Sequence, residues 1–232
     1  MIINNQKTIK KEVSLHGVGL HTGESVTLTF KPAPVNNGFT FKRVDLEGQP
    51  VIPADATFVT ETDRGTSLEK NGVVIQTSEH VLAACVGLGL DNVILELNSS
   101  EPPIMDGSSK FFVEALEEAG IEEQHTPRED YIVKDVISYK DEETGSEIIV
   151  MPADEYQVTT MVDFGTKVLG TQNAYLDKMS DFKTEIAASR TFSFLHELEA
   201  LLAHGLIKGG DINNAIVYVD KELSEDTMAS LK

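Results

Sequence analysis

An acidic residue and a histidine, Glu79 and His80, stand side by side in the stretch TSEHVLAACVGLGLDN. The apolar residues that follow predict a helix, and Thr77 is a suitable N-cap, so both side chains fall in the first turn. An imidazole can bind a metal ion while an adjacent carboxylate takes a proton from water. A first-turn glutamate also favours the helix dipole, and a single histidine is commonly structural, so these residues alone leave both interpretations open.

A catalytic zinc ion needs three protein ligands, and the sequence does not supply the second and third at a recognisable spacing. The H-E-x-x-H motif does not apply, because Ala84 stands four residues after His80. The other histidines are His16, His21, His125, His196 and His204. None of them is followed four residues later by a carboxylate on a plausible helix, so spacing alone predicts no complete metal site.

Three further stretches combine polar residues with turn-forming ones: HGVGLHTG (His16–Gly23), EPPIMDGSS (Glu101–Ser109) and SRTFSF (Ser189–Phe194). The first does not fit the dinucleotide motif G-x-G-x-x-G, because Thr22 takes the place of the third glycine and no helix follows. Taken singly, the three stretches are consistent with a glycine turn, a helix cap and an ordinary strand.

The chain has 232 residues and a net charge of −19, which repels nucleic acid and anionic membrane surfaces. The same charge would repel an anionic substrate unless local cations offset it. We expect no integral membrane segment, because no apolar run is long enough, and no signal peptide begins the chain. Cys85 is the single cysteine, so no internal disulfide can form, and we expect a cytoplasmic protein.

The segments around these stretches are predicted to be strands followed by helices. Val26, Leu28 and Phe30 alternate with polar residues and predict a half-buried strand. After the helix that begins near Thr77, a strand and a second helix are predicted. The second helix carries Phe112, Leu116 and Ala119 on one face and ends at Gly120.

A polar stretch from Glu122 to Asp130 separates this half from a second one of similar plan. We predict a first domain at 1–124, a linker at 125–130 and a second domain at 131–232. Strands are predicted near 131–140, 147–151, 157–164 and 215–219, with helices from about Asp181 and Leu195. The fold class is therefore α+β, with two domains of similar plan.

The order of the four motifs resembles the UDP-3-O-acyl-N-acetylglucosamine deacetylase family, the zinc amidases of lipid A biosynthesis. The resemblance covers His16 to the end of the chain. It implies two domains, each a sheet with helices packed on one face, and the helices sandwiched between the two sheets. It implies hydrolysis of the N-acetyl amide of a nucleotide sugar that carries an acyl chain, with zinc as the cofactor.

The resemblance also implies roles for particular residues. His80 matches a zinc ligand and Glu79 the general base that activates water. Thr191 matches the hydroxyl that stabilises the oxyanion, and Phe192 lies at the same site. His21 matches a histidine near the catalytic cleft.

Other positions match the substrate-binding parts of the family. Asp163 and Phe164 fall where the nucleotide end of the substrate is contacted. The segment at about 194–220 matches a β-α-β insert that forms a passage for the acyl chain. Its expected lining residues are Phe194, Leu198, Leu202 and Ile216.

The sequence departs from the family in places. The H-K-x-x-D motif that holds the other two zinc ligands and the later G-H turn do not occur in it. Ser146 stands where relatives carry a basic residue, and the Arg64-Gly65 region is atypical. Because relatives continue beyond the position of Lys232, we expect a C-terminally incomplete second domain. This chain would then be inactive by itself and able to self-associate through uncovered apolar surface.

Two alternatives remain open at the level of sequence. A non-catalytic binding protein could keep the family fold without the metal. The chain could also be the N-terminal part of a fusion with a 3-hydroxyacyl-carrier-protein dehydratase, an arrangement that some relatives show.

Overall fold

A computed structural model describes residues 4–203 and 207–219 of the chain. Its helices are α1 (Glu79–Gly87), α2 (Lys110–Ala119), α3 (Phe182–Glu185) and α4 (Leu195–Ala203). Its strands in the first half are β1 (Asn5–Ile9), β2 (Val13–Val18), β3 (Ser25–Pro32), β4 (Phe39–Arg43), β5 (Val51–Pro53), β6 (Val59–Glu61), β7 (Ser67–Lys70), β8 (Val73–Ile75), β9 (Val93–Leu97) and β10 (Ile121–Pro127). Those in the second half are β11 (Ile137–Lys140), β12 (Glu147–Val150), β13 (Val158–Asp163), β14 (Thr171–Leu176), β15 (Phe192–Phe194) and β16 (Ile216–Tyr218). This composition confirms the predicted α+β class, and no helix in the described ranges is long and apolar enough to cross a membrane.

The largest sheet carries the core of the first half. It has five strands in the order β2-β3-β9-β4-β5, with β9 parallel to β4 and antiparallel to β3. Val26, Leu28 and Phe30 on β3 are at most 1% exposed, which confirms the predicted half-buried strand. A smaller antiparallel sheet of three strands, β6-β7-β8, leads into α1.

Helices α1 and α2 pack against each other, and α2 contacts β2 of the large sheet. Phe112, Leu116 and Ala119 on α2 are buried, as predicted, and the Phe112 ring meets the Phe30 ring edge-on with 6.3 Å between centroids. The helix ends at Gly120, whose φ of +74° only glycine adopts readily. This packing fixes α1, which carries Glu79 and His80, over the sheet.

The polar stretch interpreted as a linker is partly a strand, which corrects the prediction. β10 extends to Pro127 and pairs antiparallel with β1, so His125 and Thr126 belong to a sheet. On β10, the Gln124 side chain donates to the Ala33 carbonyl and accepts a hydrogen bond from Asn92. Inward polar groups that are fully hydrogen-bonded escape a hydrophobicity pattern, which is why the sequence did not reveal this strand.

The second half contains separate pairs of strands. β11 pairs with β12 and β13 with β14, each antiparallel. Every residue of β11 and β12 is exposed, including Ile137, Tyr139, Ile148 and Ile149. The β11–β14 hairpins thus present apolar side chains to solvent, whereas the apolar side chains of the first-half sheet are buried.

One part of the second half joins the first-half core. Leu176, Phe182 and Ala187 belong to the same buried cluster as the residues of α1 and α2. A side-chain carbon placed on Gly87 would lie 2.0 Å from the Phe182 ring, so the closest approach of α3 to α1 requires a glycine there. The division of the chain into domains at 125–130 stays a prediction.

β15, α4 and β16 form a β-α-β unit. The two strands pair in parallel, with Phe192 opposite Ile216 and Phe194 opposite Tyr218. A parallel pair needs a crossover connection, and α4 lies within it. Leu202, one of the expected acyl-passage residues, has a side chain outside the described set, and Leu198 on α4 is half-buried.

Candidate active site

The start of α1 is held against the loop that precedes β7. The Ser78 amide and hydroxyl both donate to the Thr66 carbonyl, at 3.1 and 2.9 Å. In return the Thr66 amide donates to Glu79 Oε2 at 2.9 Å. One carboxylate oxygen of Glu79 is therefore oriented by the backbone, and the other, Oε1, lies 3.8 Å from His80 Nε2.

The imidazole of His80 is largely shielded from solvent, with 21% of its side chain exposed. Burial lowers its pKa, and the negative charges of Glu79 and Asp106 only partly oppose that effect. The neutral ring that results has a free lone pair, which is the form that binds a metal. Ser109 donates to the His80 carbonyl at 2.8 Å, which ties this turn to the beginning of α2.

Thr77 does not cap α1, contrary to the sequence prediction. The N-cap is Ser78, and it makes no side-chain capping bond. Thr77 instead adopts a left-handed backbone, with φ of +50°, and donates its hydroxyl to Glu101 at 2.8 Å. The tertiary bond to a charged acceptor replaces the local cap.

Glu101 is the central residue of the site that sequence reasoning missed. Its side chain is 0% exposed. Besides Thr77, it accepts the amides of His21 and Thr22 at 3.0 Å each and the Thr22 hydroxyl at 3.2 Å. A side-chain carbon on Gly19 would lie 2.6 Å from the Glu101 carboxylate, so this loop can close around the acid only with a glycine there. The one sequence signal is an acid beside two prolines in a turn.

His21, predicted to lie near the catalytic cleft, is held near the start of α1 by the loop that closes around Glu101. Its amide bonds Glu101, which in turn holds Thr77, two residues before Glu79. The imidazole Nδ1 is buried and has no hydrogen-bond partner among the described residues. A buried ring nitrogen without a partner is uncommon in folded proteins, which marks His21 as a candidate for ligand contact.

The turn at Asp106 and Gly107 joins α1 to the second half. The Thr191 amide donates to the Gly107 carbonyl at 2.7 Å, and Arg190 Nε donates to the Asp106 carbonyl at 2.6 Å. Gly107 has φ of +84°, and a side chain there would collide with the Asn214 carbonyl 2.1 Å away. Ser109, two residues after Gly107, donates to the His80 carbonyl, so this turn links the Thr191 segment to the turn that carries Glu79 and His80.

The predicted substrate-binding residues lie farther along the second half. The rings of Phe164 and Phe192 meet edge-on at 5.2 Å, and Phe192 also meets Tyr218 at 5.5 Å. Asp163 is exposed and accepts the Gly165 amide at 3.0 Å. The structure thus joins Phe164 to Phe192, which follows Thr191, and leaves the Asp163 carboxylate open to solvent.

His80 is the residue of this site best suited to hold a metal. Within residues 4–203 and 207–219, no three His, Cys, Asp or Glu side chains are grouped so that they could hold an ion. The described residues therefore do not make a complete zinc site. What they do provide is an oriented carboxylate, a neutral imidazole and a hydroxyl residue on a connected frame.

Comparison with known proteins identifies the family of the chain. The sequence model of the family described as LpxC, UDP-3-O-acyl N-acetylglycosamine deacetylase, covers residues 6–230. The chain is 48% identical over 226 residues to the bifunctional enzyme LpxC/FabZ of Bacteroides thetaiotaomicron, covering 97% of this chain and 49% of that protein. It is 42% identical over 221 residues to the UDP-3-O-acyl-N-acetylglucosamine deacetylase of Teredinibacter turnerae, covering 93% of this chain and 71% of that protein.

A third relative is the bifunctional enzyme LpxC/FabZ of Porphyromonas gingivalis, 45% identical over 229 residues. That alignment covers 99% of this chain and 50% of the relative. The chain thus spans about half the length of the bifunctional relatives that it matches. With a family match over nearly its whole length, the chain belongs to the LpxC family of UDP-3-O-acyl N-acetylglycosamine deacetylases.

Proposed function

We propose that the full-length protein is a hydrolase that removes the N-acetyl group from UDP-3-O-acyl-N-acetylglucosamine in lipid A biosynthesis. The observation that carries this proposal is the orientation of Glu79. Its Oε2 is held by the Thr66 amide while Oε1 faces the neutral His80 ring at 3.8 Å. This leaves an oriented carboxylate oxygen beside a candidate metal ligand, which is the arrangement that amide hydrolysis by water requires.

The residues divide the chemistry between them. Glu79 takes a proton from the water that attacks the amide carbonyl, and the same carboxyl can return a proton to the leaving amine. Thr191, whose amide donates to the Gly107 carbonyl, would supply its hydroxyl to the developing oxyanion. The C–N bond then breaks, and acetate and the free amine result.

We propose zinc as the cofactor of the full-length protein, with His80 as one ligand. Zinc, when bound, acts as a Lewis acid on water and on the amide carbonyl. The lowered pKa of His80 supports its part, because a neutral imidazole needs no deprotonation to bind a metal. The remaining ligands would come from outside the described residues.

We propose the substrate contacts from the same connected set of site residues. His21, whose buried Nδ1 has no hydrogen-bond partner among the described residues, would contact the sugar, and Asp163 and Phe164 would contact the nucleotide. Phe192 and the half-buried Leu198 would line the way to the acyl chain. We also propose a cytoplasmic location, because a chain with the single free cysteine Cys85 suits a reducing compartment.

The test of the reaction uses the full-length protein and the acylated nucleotide sugar. Glu79→Gln keeps the shape of the side chain and removes its basicity, so we expect a loss of about 10²–10⁴-fold in kcat. Glu114→Gln, an exposed acid on α2 paired with Lys110, is the matched control and should keep full activity. A Glu79→Gln protein as active as this control would refute the proposed role.

The bifunctional relatives favour a second function in the same polypeptide. Two bifunctional enzymes named LpxC/FabZ match 97% and 99% of this chain over about half of their own length. We propose that this chain is likewise joined to a 3-hydroxyacyl-carrier-protein dehydratase. The reading frame after Lys232 tests this directly, and a stop codon there would refute the fusion.

We also propose that the 232-residue chain expressed alone is inactive and self-associates. The described residues offer one of the expected zinc ligands, and the β11–β14 hairpins expose large apolar side chains such as Tyr139 and Met161, at 66% and 76%. Light scattering and an activity assay on this chain test both statements. A monomer at about 100 times the concentration of a typical assay, or turnover near that of the full-length protein, would contradict them.

A further inference from the structure

A bidentate ion pair joins Arg64, in the loop before β7, to Glu197 on α4, although the two residues are far apart in the sequence. Arg64 donates from both terminal nitrogens to the two carboxylate oxygens of Glu197, at 3.0 and 2.9 Å. The two side chains are 43% and 24% exposed. The fork geometry makes this pair more directional than a single contact between point charges.

In the second half, the ion pair holds the beginning of α4 through Glu197. Glu197 Oε2 also accepts the Phe194 amide at 3.3 Å, in the manner of a capping box, and the Ser193 hydroxyl at 3.4 Å. Phe194 ends β15, the strand that begins directly after Thr191. Glu197 is therefore fixed to the segment that carries the proposed oxyanion residue.

In the first half, the ion pair holds, through Arg64, the loop that orients Glu79. Arg64 has φ of +61°, a left-handed conformation that is strained for a non-glycine residue and persists only when the surroundings hold it. The next residue, Gly65, lies over the start of α1, where a side-chain carbon would be 3.5 Å from Glu79 Oε1. Thr66 follows, and its amide is the donor to Glu79 Oε2.

We propose that Arg64 and Glu197 form a clasp that positions Glu79, by holding the loop 63–66 so that the Thr66 amide aligns the carboxylate. Both are positioning residues, because neither touches Glu79 directly. The catalytic meaning of the clasp rests on the proposed deacetylase function, whereas its structural effect on Thr66 does not.

A purely stabilising surface ion pair would behave differently. Exposed ion pairs contribute little to stability, and the small loss on removing one is shared by the whole fold. The chain offers a matched pair for comparison, because Lys183 Nζ lies 2.7 Å from Glu117 and joins α3 to α2 away from the Thr66 loop. Lys183→Ala removes a contact of similar exposure between the same two halves.

The experiment measures exchange of the Thr66 amide hydrogen in the full-length protein without substrate. Arg64→Ala should speed this exchange on the order of tenfold, while Lys183→Ala should leave it unchanged. Arg64→Lys keeps the charge but not the fork and should restore only part of the protection. Glu197→Gln keeps an acceptor for the Phe194 amide, so its effect on Thr66 reports the lost ion pair rather than the lost cap.

Turnover of the acylated nucleotide sugar supplies the second readout. Arg64→Ala should lower kcat about threefold to tenfold with little change in KM, because the base is misaligned and the substrate contacts remain. Arg64→Ala combined with Glu197→Gln should cost no more than either change alone. Unchanged Thr66 exchange in Arg64→Ala, or equal acceleration in Lys183→Ala, would overturn the clasp. If Glu79→Gln were fully active while Thr66 still responded, the proposed function would fail and the clasp would stand.

Discussion

Replacing Glu101 by alanine should be among the most damaging single changes in the first half of the chain. The carboxylate is 0% exposed and accepts hydrogen bonds from His21, from Thr22 twice and from Thr77. Each bond to a charged acceptor contributes about 1.5–3 kcal/mol, but bonds that share one acceptor are not additive. Leaving two backbone amides and two hydroxyls without this acceptor in the interior should cost about 3–5 kcal/mol of unfolding free energy.

The assay is urea unfolding followed by far-ultraviolet circular dichroism, together with amide exchange at His21 and Thr22. Glu101→Gln keeps the volume and one acceptor oxygen, so we expect a smaller loss of about 1–3 kcal/mol. Thr77→Val is the matched control, because it keeps the side-chain shape and removes the single bond to Glu101. A Glu101→Ala protein within about 1 kcal/mol of the wild type, with unchanged exchange at both amides, would refute the reasoning.

Three further experiments test other parts of the structure. In the full-length protein, His80→Ala should lower the zinc content, whereas Glu79→Gln should keep zinc and lose turnover; equal zinc loss in both would contradict a base role for Glu79. Gly87→Ala should lower the free energy of unfolding by about 1–3 kcal/mol, because the new methyl would lie 2.0 Å from the Phe182 ring, and Phe182→Leu in the same background should recover part of the loss on urea unfolding. Cys85 should not react with a thiol reagent at about pH 8 in the native protein and should react in urea, because burial raises its pKa to about 12; reaction of the folded protein would show that the thiol is accessible.

The parts of the fold that the sequence predicted correctly are those set by local periodicity. Alternation at Val26, Leu28 and Phe30 and the helical spacing of Phe112 and Leu116 both appear as buried faces. Burial of apolar side chains is the largest favourable term in folding, so it leaves a readable pattern in the sequence. β10 left no such pattern, because its inward side chain at Gln124 is satisfied by hydrogen bonds.

For the candidate site, too, sequence patterns named candidate residues but did not predict the contacts between them. Four motifs in order indicated the family, and the residues Glu79, His80 and Thr191 do lie on one connected frame. The contacts that build the frame could not be predicted, because His21 meets Glu101 across 80 residues and Arg64 meets Glu197 across 133. Spacing rules describe neighbours on one helix or strand, and they contain no information about such pairs.

The two supports of α1 differ in their access to water, and this difference has a measurable consequence. Glu101 is 0% exposed, so its bonds to the His21 loop should be nearly independent of ionic strength. Arg64 is 43% exposed, so salt should weaken its pair with Glu197 and loosen the Thr66 loop. Raising salt from about 0.05 M to about 1 M should therefore speed exchange of the Thr66 amide and leave the His21 amide unchanged. Equal responses at both amides would mean that solvent access does not distinguish the two supports.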